Sequence, residues 1–160
     1  MSNKKFVLMV CLGNSCRSPI AEAVFRNEVE KLGLNEIWEV DSASLLEYHV
    51  GNSPEPRAIA TLKRAGILNY SHIARKITIS DFYKFDWIFA MDNGILYDLY
   101  QIKPEDSHTR IELLGQYDPE HEINIRDPLF DRGSAGFEKA YEQAVRSIRG
   151  FLKEHAGTFT

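Results

Sequence analysis

Cysteine is scarce: Cys11 and Cys16 are the two in 160 residues. A disulfide-stapled secreted scaffold is excluded, and a reducing, cytoplasmic setting is expected. There is no basic excess either. Lys and Arg total 19 against 23 Asp and Glu, a net charge of -4, which argues against a dedicated nucleic-acid binder. No apolar run approaches the roughly 20 residues of a membrane span. Lys4 and Lys5 before Phe6-Val7-Leu8-Met9-Val10-Cys11-Leu12 imitate a short signal peptide, but no small-residue cleavage site follows. Ser2 excludes N-myristoylation, and the final Gly-Thr-Phe-Thr carries no prenylation box. Repeats, low-complexity tracts and linkers are absent. What remains is ordinary globular composition, 44% hydrophobic and 26% charged, and the expectation is a single domain over residues 1–160.

Strand-like and helix-like patterns alternate along the chain. Phe6–Val10 is a continuous apolar run, the mark of a central parallel strand covered on both faces. After a polar loop from Leu12 to Arg17, Ser18 is expected to cap a helix with Pro19 in its first turn. That helix carries Ile20, Ala21, Val24, Phe25 and Leu32 at helical spacing and stops at Gly33. Further strands are expected at 38–43, 86–91 and 110–114, and helices at 55–65 and from the cap Asp92 to about 100. A polar loop, 115–134, contains Asp118-Pro119 and Asp127-Pro128. The last helix, 135–155, places Phe137, Tyr141, Ala144, Val145, Ile148 and Leu152 on one face. This alternation implies an α/β fold: one doubly wound sheet of four parallel strands flanked by helices. Such sheets bind ligands at the carboxyl ends of their strands, so the loop after the first strand is the place to look for a site.

That loop reads Cys11-Leu12-Gly13-Asn14-Ser15-Cys16-Arg17-Ser18-Pro19. Cys11 ends a central strand. Arg17 supplies a planar cation suited to a bidentate grip on a tetrahedral oxyanion. The backbone between them feeds a helix N-terminus and can form an anion nest, with Gly13 and Asn14 as residue types that tolerate positive φ. Such surroundings favour the thiolate form of a cysteine. The whole is a phosphate cradle with a nucleophile at its base, and it predicts a phosphocysteine intermediate. A nucleotide-binding loop would need Gly-Lys-Ser/Thr, and a dinucleotide fingerprint three glycines. Zinc would want four ligands, and a thioredoxin-type pair Cys-x-x-Cys. No metal and no cofactor is called for.

The segment, including the Arg-Ser-Pro that closes it, resembles the signature of the low-molecular-weight protein tyrosine phosphatases. Asp41-Ser42-Ala43, Ser71-His72-Ile73-Ala74-Arg75, Met91-Asp92, Glu112-Leu113-Leu114-Gly115 and Asp127-Pro128 follow in that family's order. The resemblance implies that Cys11 is the nucleophile, that Arg17 binds phosphate, and that Ser18 hydrogen-bonds the Cys11 sulfur. It implies Asp127 as general acid and base; the chain alone does not separate Asp127-Pro128 from Asp118-Pro119. Asn14, Ser42 and His72 match a network supporting the loop. Tyr48 and Phe130 match the aromatic walls of the cleft, whose floor is residues 11–18. Cys16 matches a partner that forms a reversible disulfide with Cys11, hence redox regulation. The implied partners are phosphotyrosine proteins or small aryl phosphates, with no nucleic acid and no membrane, and the implied assembly is a monomer or weak dimer.

Three departures bear on specificity. Leu129 and Phe130 replace the family's usual pair of tyrosines, Leu45 and Leu46 a polar pair, and Ser15 an aliphatic. Related arsenate reductases need two further downstream cysteines, which this chain lacks. Protein-arginine phosphatases carry Thr at the Ser15 position, so a phosphoarginine substrate stays open. A catalytically dead phosphate-binding module is disfavoured by the presence of Cys11, Arg17 and Asp127 together.

Overall fold

A computed structural model describes residues 4–156. The lipidation readings rest on Ser2 and the last four residues, which lie outside the described residues. The strands are β1 (Lys5–Cys11), β2 (Trp38–Ser44), β3 (Trp87–Ala90) and β4 (Arg110–Leu113); the helices are α1 (Arg17–Lys31), α2 (Pro56–Arg64), α3 (Asp81–Lys84), α4 (Asn93–Ile102) and α5 (Ala135–Ala156). All strand pairings are parallel, in the order β2-β1-β3-β4. The expected four-stranded doubly wound sheet is what is found.

β1 shows how a continuous apolar run serves two faces. With a side-chain period of two, Val7, Met9 and Cys11 enter a core with α1, α2 and α5, while Leu8 and Val10 enter a second core with Phe82, Phe85, Ile95 and Leu99. The chain steps from β1 to β2 on one side and to β3 on the other, so a crevice opens at the carboxyl ends of β1 and β3. Cys11 ends β1 there, and Asp92 follows β3 as the cap of α4, accepting from Ile95 N at 2.8 Å.

Some details differ from the sequence reading. Ser18 does not cap α1: the helix begins at Arg17, with Cys16 at the cap position and no side-chain cap bond. The Ser18 hydroxyl is committed to Cys11 and Asn14 instead. Leu32 lies past the end of α1 and is exposed, because Gly33 at φ +70° has already turned the chain. Glu55 is the cap of α2 rather than its first residue. The short α3 and a 3₁₀ turn at Leu114–Tyr117 have too few residues to show a period. On α5 the expected face omitted Phe151, which is fully buried and meets Phe25, Trp38, Trp87, Phe89 and Tyr117 with ring centroids 5.0–6.3 Å apart.

Candidate active site

The loop Leu12–Cys16 turns tightly between β1 and α1, and Asn14 makes the turn with φ +56°. Asparagine tolerates that left-handed backbone better than most residues, and its side chain is bonded on both atoms. Asn14 Nδ2 donates to Ser18 Oγ (2.9 Å) and Ser42 Oγ (3.0 Å); Oδ1 accepts from His72 Nε2 (2.7 Å) and Arg75 N (3.1 Å). Gly13 was expected to share the positive φ but does not. It must be small for another reason: a Cβ there would lie 2.7 Å from His49 Cδ2.

Cys11 Sγ lies 3.0 Å from Ser18 Oγ, and both are buried. With Cys11 as thiolate, the serine O–H is the donor. Arg17, which opens α1 beyond the loop, is also buried. Nη1 donates to Asp92 Oδ2 (2.5 Å) and Ile125 O (2.9 Å), and Nη2 stands 3.7 Å from Asp127 Oδ2. Burial alone would lower the guanidinium pKa, but the charges of Cys11, Asp92 and Asp127 outweigh it and raise it above its ordinary value. Arg17 Nε is buried with no hydrogen-bond partner, an expensive state for a charged group. A phosphoryl oxygen would satisfy it.

Behind the loop, Ser42, Glu22, Tyr70 and His72 complete the hydrogen-bonded network. Ser42 donates to Glu22 Oε1 (2.6 Å), which also accepts from Tyr70 (3.0 Å) and faces His72 Nδ1 (3.4 Å). Burial, then the charge and hydrogen bond of Glu22, push the Tyr70 phenol far above its ordinary value, so it stays a donor. Glu22, Asp41 and His72 present ligand atoms within 4.8 Å of one another, a possible metal-holding group. Both carboxylates already carry an arginine, Arg26 on Glu22 and Arg75 on Asp41, and His72 turns Nδ1 toward them while Nε2 meets Asn14.

Above the loop is a cleft of about 620 Å³ lined by Cys11–Gly13, Ser15, Cys16, Tyr48, His49, Glu55, Arg57, Asp127, Leu129 and Phe130. Asp127 is half-exposed at its mouth (36%), with Oδ1 accepting from Leu129 N at 3.1 Å. Asp118, the competing aspartate, is far from any such role. It is buried and paired with Arg146 at 3.0 and 3.1 Å. Cys16 is buried in the cleft wall. Desolvation first, then the charges of Cys11 and Asp127, push its thiol up to about 12.

The structure thus brings together every residue proposed from the sequence: Cys11–Ser18 in the loop, Ser42 and His72 behind it, and Tyr48, Asp127 and Phe130 around the mouth. Sequence reasoning missed Glu22, Arg57, His49 and Glu55, and it quoted Arg75 and Asp92 within family-like segments, Asp92 also as a cap, without giving either a role in the site. Glu22 had a signal: an acidic residue one turn from Ser18 on an otherwise apolar helix face. The others gain their roles from distant partners.

The arrangement holds a cysteine sulfur and an arginine at the floor of a cleft and a carboxyl at its mouth, which suits transfer of a phosphoryl group from an ester oxygen to sulfur. Comparison with known proteins agrees. The family model described as low molecular weight phosphotyrosine protein phosphatase matches residues 6–157. The chain is 48% identical over 154 residues to a human protein of that name, covering 94% of this chain and 95% of the other. A Schizosaccharomyces pombe protein of the same name is 47% identical over 151 residues, covering 94% and 96%. Among solved structures, a Drosophila arginine phosphatase is 41% identical with a TM-score of 0.88, covering 93% of this chain and 96% of that one.

Proposed function

Because the chain belongs to the low molecular weight phosphotyrosine protein phosphatase family, we propose that it hydrolyses phosphotyrosine monoesters through a phosphocysteine at Cys11. The ester's phosphoryl group enters the cleft above the sulfur. Arg17 takes its oxygens on Nε and Nη2 as negative charge is redistributed in transfer. Cys11 Sγ forms the bond to phosphorus while the phosphorus–oxygen bond to tyrosine breaks, and Asp127 gives its proton to the departing phenolate. In the second step Asp127, now ionised, takes a proton from water as water attacks phosphorus. The sulfur leaves as a thiolate, steadied by the Ser18 hydroxyl. Asn14, Ser42 and His72 keep the loop in shape throughout. No step calls for a metal or cofactor.

The observation that carries this reading is the orphaned Arg17 Nε beside Cys11 Sγ. The test is acid quench of turnover with labelled substrate. Wild type should retain up to one labelled phosphate per chain and Cys11→Ser none, with turnover abolished. A fully active Cys11→Ser variant, or a wild type inert on nitrophenyl phosphate, would reject the mechanism; the second result would leave a phosphate-binding module.

Redox control belongs to the same proposal. Peroxide converts the Cys11 thiolate to a sulfenic acid, releasing water. The Cys16 sulfur then displaces that hydroxyl, with loss of a second water, to form the disulfide. Burial first, and then the Cys11 charge, push the Cys16 thiol up to about 12, so it stays protonated in the reduced site. Two free thiols fit a cytoplasmic location, and no helix among the described residues is long and apolar enough to cross a membrane.

A second substrate reading rests on Ser15, which lies at the cleft floor where the tyrosine phosphatases usually have an aliphatic residue. Its hydroxyl can serve a phosphoramidate nitrogen, and one solved relative is an arginine phosphatase. Paired kcat/KM measurements on phosphotyrosine and phosphoarginine peptides decide between them, with tyrosine expected to be preferred.

A further inference from the structure

We propose that Arg57 is a positioning residue for the general acid, fixing the loop that carries Asp127; the inference rests on the role given to Asp127 above. Residues 118–134 contain no regular element, yet Asp127 must be held within reach of the leaving oxygen. Arg57, at the start of α2, supplies the anchor. Its Nη2 donates to Leu129 O (2.9 Å), and its Nη1 to Asp131 O (2.7 Å) and Gly133 O (2.8 Å). Alternate carbonyls of one loop therefore converge on a single guanidinium. Leu129 is clamped from both sides, since its N–H donates to Asp127 Oδ1 at 3.1 Å. The path from Arg57 to the acid is two hydrogen bonds long.

The other side of Arg57 is tied to the cradle. Its Nε donates to Glu55 Oε1 (2.8 Å), its backbone N–H to Glu55 Oε2 (2.6 Å), and the Glu55 N–H to Ser15 O (3.0 Å). The Phe137 ring of α5 supports the guanidinium from 4.5 Å. One chain of bonds thus runs from the loop that holds phosphate to the loop that delivers the proton. A planar fork of N–H donors can satisfy carbonyls on one edge and a carboxylate on another; a lysine ammonium cannot span them.

The test separates protonation from phosphate binding. Arg57→Ala, Arg57→Lys and Asp127→Ala are compared on phenyl phosphate, whose leaving group needs a proton, and on 2,4-dinitrophenyl phosphate, whose leaving group departs as an anion. Vanadate inhibition reads the cradle separately. Arg57→Ala should lower kcat/KM, which reports only the steps through phosphocysteine formation, by about tenfold to a hundredfold on phenyl phosphate, the scale of a misplaced catalytic group. Its kcat/KM on the dinitrophenyl ester should fall much less, and vanadate affinity should hold. Arg57→Lys should behave like Arg57→Ala, and it serves as the variant of record if Arg57→Ala does not fold. Millimolar guanidinium ion should restore part of the loss on phenyl phosphate. Equal losses on both esters, or no loss on phenyl phosphate, would overturn the inference while leaving the phosphatase reading intact. If Asp127→Ala itself shows no dependence on the ester, the assignment of the acid falls and the positioning role falls with it.

Discussion

The floor of the cleft and its rim are held in very different ways. On the floor, Asn14, Ser18 and Ser42 are fully buried and bonded to one another, to Glu22 and to His72. At the rim, Phe130 is 95% exposed and Tyr48 73% exposed, and neither takes part in the network described above. The floor must present donors in one arrangement to a tetrahedral oxyanion, and buried, mutually satisfied polar groups give rigidity at the cost of tolerance. The rim needs only to receive a flat side chain, and exposed rings on loops adapt to it. Chemistry is therefore built into the wired part, and substrate choice into the loose part.

The sharpest test of that division lies between the two Asp-Pro turns. Asp127→Ala should lower kcat by roughly 10²–10⁴-fold, the scale of losing a general acid, with thermal stability nearly unchanged. Asp118→Ala should do the reverse, keeping kcat and losing stability on the order of 1.5–3 kcal/mol, as for hydrogen bonds to a charged group. Differential scanning calorimetry beside steady-state kinetics reads both, and exchanged phenotypes would refute the assignment. Asp118 also carries a pH signature. Burial raises its pKa, but the hydrogen bonds from Arg146 and from the Glu120 backbone prevail, and the net shift is downward. A carboxyl lowered in the folded state stabilises fully above its unfolded value, near 3.9, and loses that contribution as pH falls through the folded one. Acid unfolding below about pH 4 should therefore be less steep in Asp118→Asn than in wild type.

A smaller effect is expected from the wiring of the floor itself. Asn14→Ala removes the bonds to Ser18, Ser42, His72 and Arg75 and leaves an alanine at φ +56°, a conformation costing about 1–3 kcal/mol. The nucleophile and Arg17 remain, so kcat should fall by about 10–100-fold, with weaker vanadate binding. Asn14→Gly relieves the strain alone. If it recovers wild-type kcat, the side-chain network is dispensable and the floor is less wired than proposed.

Legibility in the sequence follows the same division. The floor could be read because it is contiguous: Cys11 to Ser18 lie side by side in the chain, and strand, loop and helix start are local patterns. The sheet of four parallel strands followed from alternation of short elements, whereas its order, β2-β1-β3-β4, has no local mark in the chain. Asp127 required the family resemblance, since an Asp-Pro turn has no local mark of catalysis; only the fold separates the buried Asp118 from the half-exposed Asp127. Arg57 was invisible because its role lies in carbonyls 72 to 76 positions away, and a backbone carbonyl carries no residue signature. Ser18 was misread as a cap because serine before proline at a helix start suits that role equally well; its contact with the Cys11 sulfur, found at 3.0 Å, was legible only through the family resemblance.

The smallest effects belong to the rim, and they decide the substrate. Phe130→Ala removes one wall of the cleft. An aromatic pair adds about 0.5–1.5 kcal/mol beyond burial, so kcat/KM for a phosphotyrosine peptide should fall by roughly 2–13-fold, through KM more than kcat. Leu129 offers no phenol hydroxyl, its backbone is bonded to Arg57 and Asp127, and its partly buried side chain packs on the core; Leu129→Tyr should strengthen phosphotyrosine binding by a few fold. Ser15 works in the opposite sense. Replacing it with Ile adds apolar contact for a phenyl ring and removes a hydroxyl that a guanidino phosphoramidate could use, so Ser15→Ile should raise the ratio of phosphotyrosine to phosphoarginine turnover. One such contact is worth about 1–3 kcal/mol, or roughly 10–200-fold in discrimination. Wild type should already favour phosphotyrosine, because the exposed rings of Tyr48 and Phe130 at the cleft suit a flat phenyl ester. A wild-type preference for phosphoarginine that collapses in Ser15→Ile would move substrate choice from the exposed rim to Ser15 on the buried floor, and the division between a wired part for chemistry and a loose part for specificity would fail at that residue.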